Sequence, residues 1–246
     1  MKYFISEPWF ILREYFSDKG KVSDELKDIH RQGFTIKRNF LDQDKCLSLI
    51  DEFKSNLSNE KVWRDVVQSD TRIFGIEKKS PSFGKIFDTL DLKNIYNCYI
   101  SAAQESIVLC NHIIPKAENL GSGGGWHRDS MYRRQLKFIV YLNAAKTRNG
   151  CFQYIPKSHK VLEKYRINRA LSKPLGDYRY TEGDIEKLAK KNFEPVSLEG
   201  NAGDLLIVDT SGIHRGHPIL EGERYAATKY MWERKVPKSI QDLLIT

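Results

Sequence analysis

Long apolar stretches are missing from this chain of 246 residues. The longest apolar run, at residues 138–142, falls far short of the roughly 20 residues that a bilayer core demands, so no membrane span is expected. Low-complexity tracts and internal repeats are missing too, while Phe, Tyr and Trp reach 11% of the chain. Together these exclude intrinsic disorder. Cysteine is scarce: Cys46, Cys98, Cys110 and Cys151 stand far apart and form no C-x-x-C pair. Neither a structural zinc nor a disulfide framework is expected, and reduced, buried thiols in a cytoplasmic protein are the reading. A basic block is also missing. Forty Lys and Arg against 32 Asp and Glu give +8, scattered along the chain. That charge leaves two readings open, a solvated basic surface or an anionic substrate or partner. No recognition helix, zinc finger or aromatic-basic strand platform is visible, so nucleic acid is not the expected partner. The apolar residues 9–12 are flanked by Glu7, Pro8, Arg13 and Glu14, which fits no secretory signal.

What is present is ordinary soluble composition, 40% hydrophobic and 29% charged, in a chain long enough to bury a sizeable core. We read residues 1–246 as one domain. Residues 1–106 read as mainly helical support. Residues 23–32 are charged and helix-like, Gly33 ends them, and residues 34–37 alternate as a strand does. Asp42 is placed to cap a helix over residues 45–57, with Cys46, Leu47, Leu49, Ile50 and Phe53 as its apolar stripe. Residues 63–87 are mixed, and residues 90–106 read as a packed helix. From Ile107 onward the period becomes two. Strand-like runs fall at 107–114, 136–142, 151–155, 205–209 and 225–232, separated by Gly, Asn, Pro or Ser. Many short strands in one half predict an antiparallel β-barrel or sandwich over residues 107–235. Residues 160–192 are polar and basic, helix-like over 184–191, and too long for a hairpin loop. They read as an insertion or lid over one end of the barrel.

The stretch GSGGGWHRDS at residues 121–130 carries the chemistry. His127 and Asp129 stand two apart, so on extended backbone imidazole and carboxylate project from one face. His214, after the β-like run at 203–209, offers a third donor. Two histidines and one carboxylate are the facial set of non-haem Fe(II) oxygenases. Three coordination positions stay open, enough for a bidentate 2-oxo acid and O2. Arg224 follows His214 by ten positions. A strand, a turn through Pro218 and Gly222, and a return strand would set its guanidinium beside the metal pocket, where a rigid fork suits a carboxylate.

The sequence resembles the phytanoyl-CoA dioxygenase family of Fe(II)/2-oxoglutarate oxygenases over most of its length. Residues 29–41, IHRQGFTIKRNFL, look like that family's opening helix and strand. Trp126, His127, Arg128 and Asp129 look like its metal motif. Residues 149–160, NGCFQYIPKSHK, and residues 203–216, GDLLIVDTSGIHRG, followed by Arg224, are similar to its later motifs in order and spacing. Lys157 is a departure, standing where the family usually has Gly. The resemblance implies a mainly β fold with N-terminal helices, a double-stranded β-helix or cupin-like jelly roll. It implies His127, Asp129 and His214 as iron ligands and Arg224 as the residue that binds 2-oxoglutarate. It implies a dioxygenase that uses O2 and releases succinate and CO2. Asp129 points to hydroxylation or desaturation, because halogenating relatives carry a small residue there. The alternative is a non-catalytic or 2-oxoglutarate-independent cupin-like metal-binding protein.

Around that centre, Lys137, Ile139 and Tyr141 share one strand face, opposite Phe138, Val140 and Leu142. Lys137 and Ile139 are candidates to line the co-substrate pocket, with Lys137 at a solvent-facing rim as the other reading, and Asn111 is a candidate of the same kind. Arg128, Tyr132, Arg133 and Arg134 follow the metal motif closely and are expected at the pocket mouth, in contact with a small polar or anionic substrate. Arg166, Arg169, Lys173 and Arg179 in the insertion are expected to add to that basic rim or to be solvated. The glycine run at 121–125 reads as a mobile lip, since it lacks the Gly-Lys-Ser/Thr ending of a phosphate loop. His159 reads as structural, His217 as a turn or supporting residue, and His30 and His112 as helix-surface and strand residues.

Overall fold

The computed structural model describes residues 23–58, 61–100, 103, 105–174, 176–232 and 235–245. The apolar patch at residues 9–12 lies outside these described residues. Helix α1 (Asp24–Gln32) starts where the Ser23 hydroxyl accepts from the Leu26 N–H, and stops at Gly33, whose φ of 99° suits only glycine well. A Cβ at Gly33 would also sit 2.3 Å from the Tyr154 hydroxyl. Strand β1 (Phe34–Lys37) follows at once. Helix α2 (Gln43–Ser55) is capped by Asp42, which accepts from the Lys45 N–H at 2.7 Å. Cys46, Leu49, Ile50 and Phe53 face inward as the stripe predicts, but Leu47 is 57% exposed. Position 47 lies off the buried arc of a 3.6-residue period.

The mixed segment resolves into strands β2 (Trp63–Arg64) and β3 (Asp70–Phe74), a 3-10 turn at Ile76–Lys78, and a short helix α3 (Ser82–Lys85). Helix α4 (Leu90–Tyr99) is shorter than the reading over residues 90–106: Glu105 and Ser106 already belong to strand β4 (Glu105–Ile113). The remaining elements are β5 (Leu136–Tyr141), β6 (Phe152–Tyr154), α5 (Val161–Ala170), α6 (Glu182–Ala189), β7 (Val196–Leu198), β8 (Leu205–Asp209), β9 (His214–Gly216), β10 (Arg224–Trp232) and α7 (Lys238–Gln241).

Among the described residues the strands form a seven-stranded sheet in the order β1-β8-β5-β10-β4-β3-β2 and a three-stranded sheet in the order β7-β6-β9. Every paired neighbour is antiparallel. The first part of the chain is therefore more than helical support, because β1, β2 and β3 supply both edges of the large sheet. One face of that sheet packs on the helices. Phe138, Val140, Ile207, Ala227 and Cys110 meet Leu49, Phe53, Phe83, Phe87 and Tyr99 in the main core. Each fully buried large side chain there contributes about 1.5–3 kcal/mol. The other face turns toward the small sheet and lines a cavity of about 740 Å³.

Residues 160–192 carry two helices: α6 lies close to the helix-like stretch at 184–191, and α5 adds one that the sequence pattern did not single out. Ile167, Tyr180, Ile185 and Leu188 pack on Trp126, Ile155 and Ile213. The insertion thus has its own apolar cluster and backs the metal strand. Lys157 carries a φ of +66°. Left-handed backbone at a residue with a side chain costs about 1–2 kcal/mol, which accounts physically for the glycine usual at this point in the resembling family.

Candidate metal centre

His127, Asp129 and His214 converge: one donor atom from each lies within 4.8 Å of the others. Backbone pairing produces this. His127 N donates to His214 O and His214 N to His127 O, both at 2.9 Å, and Asp129 N donates to Thr210 O at 2.9 Å. The extended segment 127–129 therefore lies along residues 210–214, at the start of β9. Alternation sends His127 and Asp129 to the cavity and Arg128 the opposite way. Each imidazole donates its Nδ1–H to a carbonyl, His127 to Gly125 at 2.9 Å and His214 to Gly212 at 3.0 Å. That fixes the tautomer and leaves each Nε2 lone pair free as a metal donor. The Nε2 atoms stand 3.7 Å (His127) and 4.0 Å (His214) from the Asp129 carboxylate.

The electrostatics suit a cation. Burial pushes His214 down to about 3 and also lowers His127, so both rings are neutral at pH 7. Burial alone would raise the Asp129 carboxyl, but the Lys137 ammonium outweighs it and holds the group ionised. Lys137 Nζ lies 2.5 Å from Asp129 Oδ2 and 4.2 Å from the centroid of the Tyr230 ring. Its own burial lowers its affinity for a proton, yet Asp129 reverses this and keeps it charged. Phe152 stacks on His214 at 5.2 Å.

On β10, Arg224, Ala226, Thr228 and Tyr230 alternate into the cavity. Arg224 is 4% exposed, and its Nη1 donates to the Gly150 carbonyl. Its Nε is buried with no hydrogen-bond partner among the described residues. Burial lowers the pKa of this guanidinium, and an unpaired buried charge is costly. The position suits an anionic guest. Three protein donors with free lone pairs fit a metal ion, and a buried guanidinium with a spare N–H in the same cavity fits a carboxylate. The turn before Arg224 also differs from a simple hairpin: β9 belongs to the small sheet and β10 to the large one, so the connection crosses between sheets and closes the cavity from both sides.

Lys137, Ile139 and Tyr141 line the cavity as the strand face predicts, and so does Asn111, whose Nδ2 lies 3.4 Å from Asp70 Oδ1. Lys137 points inward, not to solvent. The basic rim is placed differently. Arg128 is 1% exposed and donates to the Tyr180 hydroxyl and to the carbonyls of Ser158 and Ser211, so its guanidinium is a buried strut. Tyr132, Arg133 and Arg134 lie outside the cavity lining. Tyr132 is 66% exposed and Arg134 donates to the Tyr99 carbonyl. Of the basic residues in the insertion only Arg179 lines the cavity, and it donates to the carbonyls of Gly123 and Gly124.

The glycine lip is hydrogen-bonded on both sides, to Arg179 and through Ser122 O to Gly216 N. A Cβ at Gly121 would lie 2.0 Å from Gly216 O, and one at Gly123 would lie 2.3 Å from His127 Cε1. Close approach is what these glycines provide. His159 is buried and His217 Nδ1 meets Pro218 O, in keeping with structural and turn roles. His30 is half-buried against Tyr99, and His112 stacks on Tyr225 and meets Glu223.

Sequence reasoning missed Arg72 and Asp70 on β3. Arg72 Nε and Nη2 both donate to Asp70 Oδ2, at 3.0 and 2.5 Å, and the guanidinium lies over Trp63. The register Arg72↔Asn111 and Asn111↔Ala226 carries β3 onto the cavity face. The only signal was the alternation in residues 70–74, too short to stand out.

The phytanoyl-CoA dioxygenase family model matches residues 29–223. No curated protein matches the chain by sequence. Solved structures share its fold. The epimerase SnoN, in complex with Fe3+, α-ketoglutarate and nogalamycin RO, aligns with TM-score 0.64 at 14% identity, over 89% of this chain and 87% of SnoN. EctD from S. alaskensis with bound Fe aligns with TM-score 0.62 at 17% identity, over 87% of this chain and 78% of EctD. HygX from Streptomyces hygroscopicus, with nickel, 2-oxoglutarate and hygromycin B bound, aligns with TM-score 0.59 at 14% identity, over 86% and 88%.

Proposed function

The chain belongs to the phytanoyl-CoA dioxygenase family, and from that premise we propose that it is an iron- and 2-oxoglutarate-dependent oxygenase that hydroxylates a small polar molecule. The observation that carries this reading is the convergence of His127, Asp129 and His214 in one cavity with Arg224. Iron and 2-oxoglutarate together supply O2 activation, with the oxo acid decarboxylated to succinate. The chain's residues hold and orient. His127 and His214 offer Nε2, Asp129 its carboxylate, and Arg224 holds the far carboxylate of the oxo acid. Ile139 and Phe152 keep the ligand side of the cavity apolar, and Asn111 offers a polar contact on the sheet face.

The cavity's charges support a polar or anionic substrate. Lys137 is paired with Asp129 and Arg72 with Asp70. Arg179 and Arg128 are spent on carbonyls, and Arg224 is reserved for the oxo acid. Carbonyls do not neutralise a guanidinium, so the exposed Arg179 on the cavity lining keeps a charge that an anionic group of a substrate can meet. Asp129 supports oxygen transfer over halogenation.

The test is turnover under ¹⁸O2 with Fe(II), 2-oxoglutarate and a panel of polar metabolites. Substrate-dependent succinate release should accompany one labelled oxygen in the product. A product that has only changed configuration or lost two hydrogens, without label, would replace hydroxylation by another oxidative outcome.

A further inference from the structure

The three candidate ligands all hang on one six-residue segment, residues 209–214. Thr210 O receives the backbone N–H of Asp129 at 2.9 Å. Gly212 O receives the Nδ1–H of His214 at 3.0 Å. His214 itself exchanges two backbone hydrogen bonds with His127. A rotation anywhere in 209–213 would therefore move all three donors relative to one another.

The segment begins at Asp209, the last residue of β8, which is fully buried. Its carboxylate touches no candidate ligand. Oδ2 accepts from the Tyr99 hydroxyl at 2.7 Å. Oδ1 accepts from the N–H of Ser211 at 2.9 Å and of Gln135 at 3.3 Å. Its backbone is held too: its N–H donates to Gly33 O at 2.8 Å, and its carbonyl accepts from the Tyr154 hydroxyl at 2.9 Å. The Oδ1–Ser211 bond is a side-chain turn that sets the backbone at 210 and 211. The Tyr99 bond ties that turn to helix α4 in the main core. A carboxylate buried this deeply is costly unless its lone pairs are satisfied. Here they are satisfied by groups that lead to α4, to the start of β5 and to the ligand segment itself.

We propose that Asp209 is a positioning residue for the metal centre: through the 209–212 turn it sets the place of Asp129, by Thr210 O, and of His214, by Gly212 O. This rests on the metal-site reading above. It adds that ligand geometry is fixed from the helical core, across the large sheet, and not only by the small sheet that carries His214. Removal of an outer partner of metal ligands typically lowers affinity about 10–100-fold, and Asp209→Ala is expected in that range.

The test uses Co(II) as probe on the metal-free full chain, followed by its visible absorption. Wild type should bind; if it does not, the metal-site reading fails before this one is addressed. Asp209→Ala, folded by circular dichroism and measured well below its unfolding temperature, should bind Co(II) about 10–100-fold more weakly, with an altered band shape. Asp209→Asn keeps the acceptor for Ser211 and Gln135 and should recover most of the affinity. A merely structural Asp209 would lower the unfolding temperature but leave the affinity and spectrum of the folded protein unchanged, and that result overturns the proposal. Should Asp209→Ala fail to fold, Tyr99→Phe decides. It removes one hydrogen bond to Asp209 and nothing at the ligands, and should weaken Co(II) binding several-fold; wild-type affinity there overturns the proposal equally.

Discussion

Asp129 has two jobs in the metal-free protein, as a donor and as the counter-charge of Lys137. The two imidazoles have one each. His127→Ala, Asp129→Ala and His214→Ala are all expected to abolish Fe(II) binding, because each removes a third of the protein's donor set. Their stabilities should differ. Asp129→Ala leaves the buried Lys137 ammonium without its 2.5 Å partner. Breaking a fully buried pair costs about 3–5 kcal/mol. Asp129 keeps 23% side-chain exposure, so a loss of about 1–3 kcal/mol is the discounted expectation. Urea unfolding of the metal-free variants checks this, and equal midpoints for Asp129→Ala and His127→Ala would contradict it. His127 and Asp129 were legible because residues two apart on extended backbone share a face, and His214 and Arg224 were legible through the motifs that hold them, since no simple hairpin joins β9 to β10. Arg72, Asp70 and the inward turn of Lys137 were not, since they depend on register between strands far apart in sequence. Arg128 misled because proximity to a motif does not fix direction: it is the residue between two inward ones, so it points away.

At the scale of elements, the lip ahead of the metal strand is shaped by glycine in two distinct ways. Gly123 has a φ of +89°, and a Cβ there would press on the His127 ring at 2.3 Å. Gly125 has a φ of +86°, but a Cβ there meets nothing within 4 Å. Both alanine variants incur left-handed strain of about 1–2 kcal/mol. Only Gly123→Ala should also displace a ligand and weaken metal binding, by about tenfold or more. Metal titration of the pair separates the effects; equal affinities would mean that the lip yields and the imidazole does not move. The long elements were readable. β8 falls at Leu205–Asp209, where a continuous apolar run and flanking turns place it, and α1 runs between its cap and Gly33. Strands β2, β7 and β9 have only two or three residues, too few for a period to show. Strand β2 exists because the longer β3 offers it a ladder, while β7 and β9 pair on either side of the equally short β6. The helix read over 90–106 ran too long because Glu105 and Ser106 gain more from pairing with β10 than any local preference indicates.

The whole molecule places its buried histidines so that acid works against it. Burial pushes His30 to about 3, His159 to about 4 and His214 to about 3, each below the ordinary value near 6.5. The unfolded chain then binds more protons than the folded one in that window. Stability is therefore full above pH ~6.5 and falls as the pH drops toward those lower values. The slope is at most about 1.4 kcal/mol per pH unit for each proton. Asp129 and Asp209, both held below the usual carboxylate range, add a further loss below pH ~3.9. Metal-free protein should thus unfold at clearly lower urea at pH 5 than at pH 7.5, and a flat profile would contradict the burial of these rings. Architecture at this scale was legible in kind, helices first and an antiparallel barrel after. The contribution of β1, β2 and β3 to the large sheet was not, because sheet membership is a long-range property. The site's central claim is that the metal donors and Arg224 serve one bound 2-oxo acid, and anaerobic titration of 2-oxoglutarate into the Fe(II)-loaded protein tests it most directly. Wild type should develop a weak visible charge-transfer band that saturates. Arg224→Ala should keep iron but bind 2-oxoglutarate about two to three orders of magnitude more weakly, at ~1.4 kcal/mol per tenfold. Arg224→Lys should recover part of the loss. Wild-type 2-oxoglutarate affinity in Arg224→Ala, or no band in wild type, would contradict the account.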